Sequence, residues 1–142
     1  MGSVEAKNRP RVLLVDDERL SADTRALILN RSGFETQAAY SADTAVEMAM
    51  ALKPDVLISN LVMQQMSGVE LAVRIGQRLP GCRVILLSNY TGVPDKLEHA
   101  NAQGFSIEIL GKPVHPQVLL DHLTMASTSI NDVASAIFPY QR

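Results

Sequence analysis

The chain has 142 residues, a formal net charge of −2 and 46% hydrophobic residues, which suits one domain with a full core. That charge gives no electrostatic reason to expect a nucleic acid or a membrane surface as partner, and no apolar run approaches the length of a bilayer span. Residues 1–9 read as a flexible, polar N-terminus without the apolar stretch of a signal peptide. The single cysteine, Cys82, has no partner for an internal disulfide, which points to a reducing, cytoplasmic setting.

In chain order, Val12 to Val15 is a short, solid, branched apolar run, the pattern of a strand buried on both faces. A helix follows over about 21–32, marked by Leu20, Leu27, Ile28 and Arg31 and stopped by Gly33. Phe34 to Ala39 is a weaker strand. Ser41 is placed to cap a second helix over 43–52, with Ala45, Val46, Ala49 and Leu52 inward, and Lys53-Pro54 ends it. Val56 to Ile58 is the third strand. A third helix spans 68–79, with Val69, Ala72, Val73 and Ile75 available for the core, and Pro80-Gly81 ends it. Val84 to Leu87 is the fourth strand. A fourth helix over 94–103 opens on Pro94 and closes at Gly104. Ser106 to Leu110 is a weak fifth strand, and 116–126 a fifth helix with Leu119, Leu120 and Leu123 inward. The tetrapeptide Ser-Ala-Asp-Thr at 21–24 and 41–44 reads as two cap signals. Beyond 126, a tail over 127–142 carries Ile130, Val133, Ala134, Ile137 and Phe138 at the spacing of one further short helix.

Strand-helix alternation implies an α/β fold with a parallel sheet and helices on both faces. Ligands of such sheets bind at the carboxyl ends of the strands. There the sequence supplies Asp16, Asp17 and Glu18 after the first strand, and Ser59 and Asn60 after the third. Ser88 and Asn89 follow the fourth, and Lys112 and Pro113 the fifth. Two acids, an amide, a hydroxyl and an ammonium are thereby expected on one edge. Alternation along the strand turns Ser59 away from it. His99, His115 and His122 form no ligand pattern with Cys82 and read as surface residues, with Cys82 as packing.

Five separated segments carry a resemblance: Val15-Asp16-Asp17-Glu18, Pro54 to Asn60, Met63 to Gly68, Leu87-Ser88 and Lys112-Pro113. In this order and spacing they resemble the receiver domain of bacterial two-component response regulators, over residues 10–126. The resemblance implies a flavodoxin-like, doubly wound, five-stranded sheet of order 2-1-3-4-5. It implies that Asp16 and Asp17 hold Mg²⁺ and that Ser88 and Lys112 receive the phosphoryl oxygens. A carboxylate at the end of the third strand would accept a phosphoryl group from a histidine kinase. That position is Asn60, and an amide is a poor nucleophile at phosphorus that forms no mixed anhydride. It offers Mg²⁺ a neutral carbonyl oxygen only, so a weak or absent metal site is expected. One anion lost at 4 Å is worth about 4 kcal/mol per unit of each charge at an intermediate dielectric. The substitution also relieves repulsion among crowded acids and would leave Lys112 paired mainly with Asp17. Two further positions depart from the family: Gln64 stands where a proline is usual, and Ile109 where the aromatic partner of Ser88 in the switch is usual.

The reading is a non-enzymatic signalling and protein-interaction module that has lost aspartyl phosphorylation. Its partner would be a histidine kinase or a downstream effector. The fourth helix, fifth strand and fifth helix would supply output or homodimer contacts, with no nucleic-acid or membrane contact through this domain. The alternative is an ordinary phosphorylatable receiver carrying an Asn60 mutation or variation. A weaker alternative is a flavin- or nucleotide-binding protein on the same sheet, against which the acidic, glycine-poor turn after the first strand argues.

Overall fold

The computed structural model describes residues 9–89, 101, 103–105 and 107–124. The expected fourth helix over 94–103 and the C-terminal tail fall outside the described residues, apart from Asn101 and Gln103. Five strands, β1 (Arg11–Val15), β2 (Glu35–Ala39), β3 (Val56–Asn60), β4 (Arg83–Ser88) and β5 (Ile107–Gly111), form one sheet of order β2-β1-β3-β4-β5. Every pairing is parallel. The described helices are α1 (Arg19–Arg31), α2 (Ala42–Leu52), α3 (Gly68–Arg78) and α4 (Pro116–Thr124).

Strand alternation divides the core into two layers. Leu13, Val15, Leu57, Val84 and Leu86 face Ala45, Ala49, Leu71, Ala72 and Ile75 of α2 and α3. Val12, Leu14, Val56, Ile58, Ile85 and Leu87 face Ala26 and Leu29 of α1 and Leu119 and Leu123 of α4. Sheet faces covered on both sides explain why the strands read as solid apolar runs. Ser41 caps α2 by accepting from the Thr44 N–H, and Ser67 caps α3 by accepting from the Glu70 N–H. Lys53, ahead of Pro54, ends α2 in the left-handed region at φ 51°.

Three expectations are corrected. Leu20 and Leu27 are 76% and 51% exposed, and α1 packs instead through Ala22, Ala26 and Leu29. Small residues on the inner face let the helix approach the sheet, and an exposed leucine is no anomaly. Ser21 is not a cap: Glu18 is the N-cap of α1, and the Ser21 hydroxyl donates to its carboxylate at 2.5 Å. His122 is not a surface residue; it is buried beside Arg83 and Glu108. Cys82 is buried as expected, and burial, then the charge of Asp55, pushes its thiol up to about 11 against a smaller opposing effect of the Leu57 backbone.

Arg83 ties β4 to β5 and α4. Its Nε donates to Glu108 at 2.6 Å and its Nη1 to the His122 carbonyl at 2.8 Å. Burial pushes the Glu108 carboxyl up, but His122 and the Arg83 guanidinium outweigh it and hold the carboxyl below its ordinary value. The His122 Nδ1 stands 3.6 Å from Glu108, too far for a direct hydrogen bond, so Arg83 makes the close contact. A carboxyl depressed by folding stabilises the protein above its unfolded pKa, and that contribution is lost as pH falls through the folded one. Glu108→Gln is therefore expected to cost about 1–2 kcal/mol at neutral pH, discounted for partial exposure. In urea titrations the difference from the unsubstituted protein should shrink as pH drops below the ordinary glutamate range. A difference independent of pH would count against it.

Candidate functional site

The register brings the polar residues to one edge. Val15 pairs with Ser59, Asn60 with Leu87, and Ser88 with Gly111, so the next steps along β1 and β5 are Asp16 and Lys112. Together they line a cleft of about 420 Å³ with Asp17, Glu18, Ser21, Arg25, Asn60, Ser88 and Asn89. Every site residue expected at this edge from the sequence, Asp16, Asp17, Asn60, Ser88 and Lys112, lines the cleft.

Asp16 is 3% exposed. Its backbone N–H donates to Ala39, extending the β1–β2 ladder by one bond. One carboxylate oxygen accepts from the Glu18 N–H at 2.8 Å and the other from Arg25 Nη1 at 3.0 Å. Asp17 is exposed at the mouth. Asn60, the last residue of β3, is 6% exposed, and its Oδ1 has no hydrogen-bond partner among the described residues. A buried acceptor left this way calls for a cation, a donor or water. Ser88 is buried at the end of β4, where its carbonyl accepts from the Lys112 N–H at 2.7 Å. The Lys112–Pro113 peptide is cis. Ile109 lies on β5 opposite Leu86, half-buried against the α2–α3 side of the core. Ser59 has the opposite parity to Asn60: its hydroxyl donates to the Asn60 carbonyl and faces the Met63 sulfur, outside the cleft.

Gly68 sets how closely α3 approaches Asn60. A Cβ at Gly68 would lie 2.4 Å from the Asn60 carbonyl oxygen and 3.1 Å from Leu61 Cα. The Gly68 N–H donates to the Leu61 carbonyl at 2.7 Å. The loop between β3 and α3 is thereby pinned at both ends.

Arg25 escaped the sequence reading, which phased α1 on its leucines. With Ala22, Ala26 and Leu29 facing the sheet, Arg25 falls beside that stripe and reaches Asp16. The expected pairing of Lys112 with Asp17 does not occur among the described residues, where the ion pair of this edge is Arg25–Asp16. The cleft lining is mostly polar and charged, with Leu61, Val62 and Leu87 its apolar members and no aromatic residue among them, unlike the apolar and aromatic walls that bury a flavin-sized ligand.

The family model of the response regulator receiver domain matches residues 12–124. The chain belongs to the response regulator receiver family. The transcriptional regulatory protein FixJ of Rhizobium meliloti is 27% identical over 128 residues, covering 85% of this chain and 62% of FixJ. The probable transcriptional regulatory protein TcrX of Mycobacterium tuberculosis is 30% identical over 104 residues, covering 68% of this chain and 44% of TcrX. This receiver thus spans less than two thirds of the length of either relative. Among solved structures, the chemotaxis protein CheY4 of Vibrio cholerae superposes with a TM-score of 0.74 at 27% identity, covering 83% of this chain and 98% of that one. The fold is the flavodoxin-like, doubly wound fold of that family. Receiver domains typically bind Mg²⁺ at the phosphorylation site. The donors at this edge fit such an ion in kind, since carboxylates and the unpartnered Asn60 carbonyl oxygen are hard ligands.

Gly68→Ala is expected to force α3 and the end of β3 apart. The cost should be about 1–3 kcal/mol in chemical denaturation, with amide chemical-shift changes concentrated on 59–62 and 67–70. An alanine variant of unchanged stability and spectrum would show that this contact is not tight.

Proposed function

We propose that this receiver acts as a signalling and protein-interaction module whose pocket does not take a phosphoryl group through a carboxylate. The observation that carries the reading is Asn60: a carboxamide buried at the end of β3 in the same cleft as Asp16, Asp17, Ser88 and Lys112. In-line attack on phosphorus needs an anionic or activated oxygen, and a carboxamide supplies neither. The surrounding parts remain. Asp16, Asp17 and the Asn60 carbonyl oxygen would hold Mg²⁺, which when bound neutralises phosphoryl oxygens. One neutral ligand among them argues for a weak site. Ser88 and Lys112 would contact the phosphoryl oxygens, Lys112 as a point charge.

Response regulators interact with histidine kinases and effectors. For this chain the proposed partner is one of these, engaged through the face of β5 and α4 with the segment between β4 and β5, or a second copy through the same face. Ile109 of β5, half-buried on the α2–α3 side of the sheet, lacks the ring that would swing between two packed positions. A relay from Ser88 to this face would therefore differ from the family's usual one. Binding that does not wait for phosphorylation follows.

The test is intact mass after incubation with acetyl phosphate and Mg²⁺. The unsubstituted protein should gain no phosphoryl mass, and Asn60→Asp should gain one. A phosphoryl group on the unsubstituted protein, or an inert Asn60→Asp variant, contradicts the reading.

A further inference from the structure

We propose that Arg25 is a built-in counter-ion that occupies Asp16 in place of a divalent cation, so that a metal must displace it to bind. The inference rests on the reading of this cleft as a receiver pocket that has lost one anion, and it concerns a residue outside that pocket's usual set.

The Asp16 side chain is 4% exposed, and both its oxygens are already engaged, one by the Glu18 N–H and one by Arg25 at 3.0 Å. A carboxylate so deeply placed needs a cation or several donors. Guanidinium suits this setting better than ammonium does: it is always charged, weakly hydrated and geometrically matched to carboxylate oxygens. Its position is fixed by helix phase, because Ala22, Ala26 and Leu29 seat α1 on the sheet and place Arg25 where its Nη1 reaches Asp16 at the end of β1.

The charge count agrees. Asp16, Asp17 and Glu18 line the cleft against Arg25 and Lys112. With a neutral Asn60, the two basic residues leave one unit of negative charge. An aspartate at 60 would add a second and favour a divalent ion. A divalent ion on Asp16 and a guanidinium 3.0 Å from the same carboxylate repel each other. Metal entry therefore requires Arg25 to swing out, and its side chain, 24% exposed, has solvent on one side for that movement. The resting pocket is held together without a metal, and its geometry should be indifferent to chelators.

Calorimetric titration with MgCl₂ on the full chain tests this, alongside melting temperatures with and without Mg²⁺. The unsubstituted protein and Arg25→Lys, which keeps the charge, should bind Mg²⁺ weakly and melt at the same temperature with or without it. Arg25→Gln, which removes the repulsion between guanidinium and metal, should bind on the order of tenfold tighter and gain stability from Mg²⁺. Arg25→Met, which keeps the packed stem, serves the same comparison if the glutamine variant does not fold. Charge-removing variants that bind no tighter than the unsubstituted protein overturn the proposal, as does an Arg25→Lys variant that tightens as much as Arg25→Gln. Asn60→Asp in the same titration keeps the two readings separate: tightening there with no effect of Arg25 removal rejects the counter-ion role alone.

Discussion

A parallel sheet delivers all its strands to the same edge, and this constraint organises the chemistry of the molecule. Once Val12 to Val15, Val56 to Ile58 and Val84 to Leu87 are buried between two helical layers, their register is fixed, because a one-residue slip would reverse every side chain. β1, β3, β4 and β5 run out of apolar residues at the edge, and Asp16, Asn60, Ser88 and Lys112 at their ends line the same cleft. Asp16, Asn60, Ser88 and Lys112 meet there although 96 positions separate the first from the last. The backbone bonds from Leu61 to Leu87 and from Lys112 to Ser88 carry the ladder past the strand ends and hold that edge in register.

The cleft then poses a problem of charge. Acids gathered at one edge repel one another and are costly to bury. Two features of this chain reduce that cost: a neutral carboxamide at 60 and a guanidinium from α1 on Asp16. Both push the pocket toward electrostatic balance within the protein. In the cleft the Asn60 oxygen is left without a partner among the described residues, and it marks the point at which a water, a donor or a cation would enter. Gly68 belongs to the same arrangement, since the close approach of α3 to the Asn60 carbonyl keeps that residue at the end of its strand.

Much of this was legible in the sequence, and the reason differs by element. The three central strands announced themselves because burial on both faces demands unbroken apolar runs. The edge strands β2 and β5 were weaker because Glu35, Gln37 and Glu108 interrupt the pattern where solvent or an ion pair takes over. The cap at Ser41 follows from local hydrogen bonding and needs no tertiary knowledge. The phase of α1 was misread because hydrophobicity was followed where alanine does the packing, and with it went Arg25, whose role depends on a helix rotation that leucines misreport. His122 was misplaced for a related reason. Its burial comes from Arg83 and Glu108, contributed by two strands distant in sequence. The cleft residues were found by type and place, but the ion pair among them depends on side-chain reach, which spacing does not encode.

The most direct measurement is fluorine NMR of the protein with beryllofluoride and Mg²⁺, a reagent that bonds a carboxylate oxygen as a stand-in for a phosphoryl group. If the carboxamide at 60 removes covalent capture while the rest of the cleft stays assembled, the unsubstituted protein shows only the signals of free beryllofluoride, and Asn60→Asp shows a slowly exchanging, protein-bound set. A bound set on the unsubstituted protein that disappears in Lys112→Ala would contradict the account, because the cleft would then capture the group without a carboxylate at position 60.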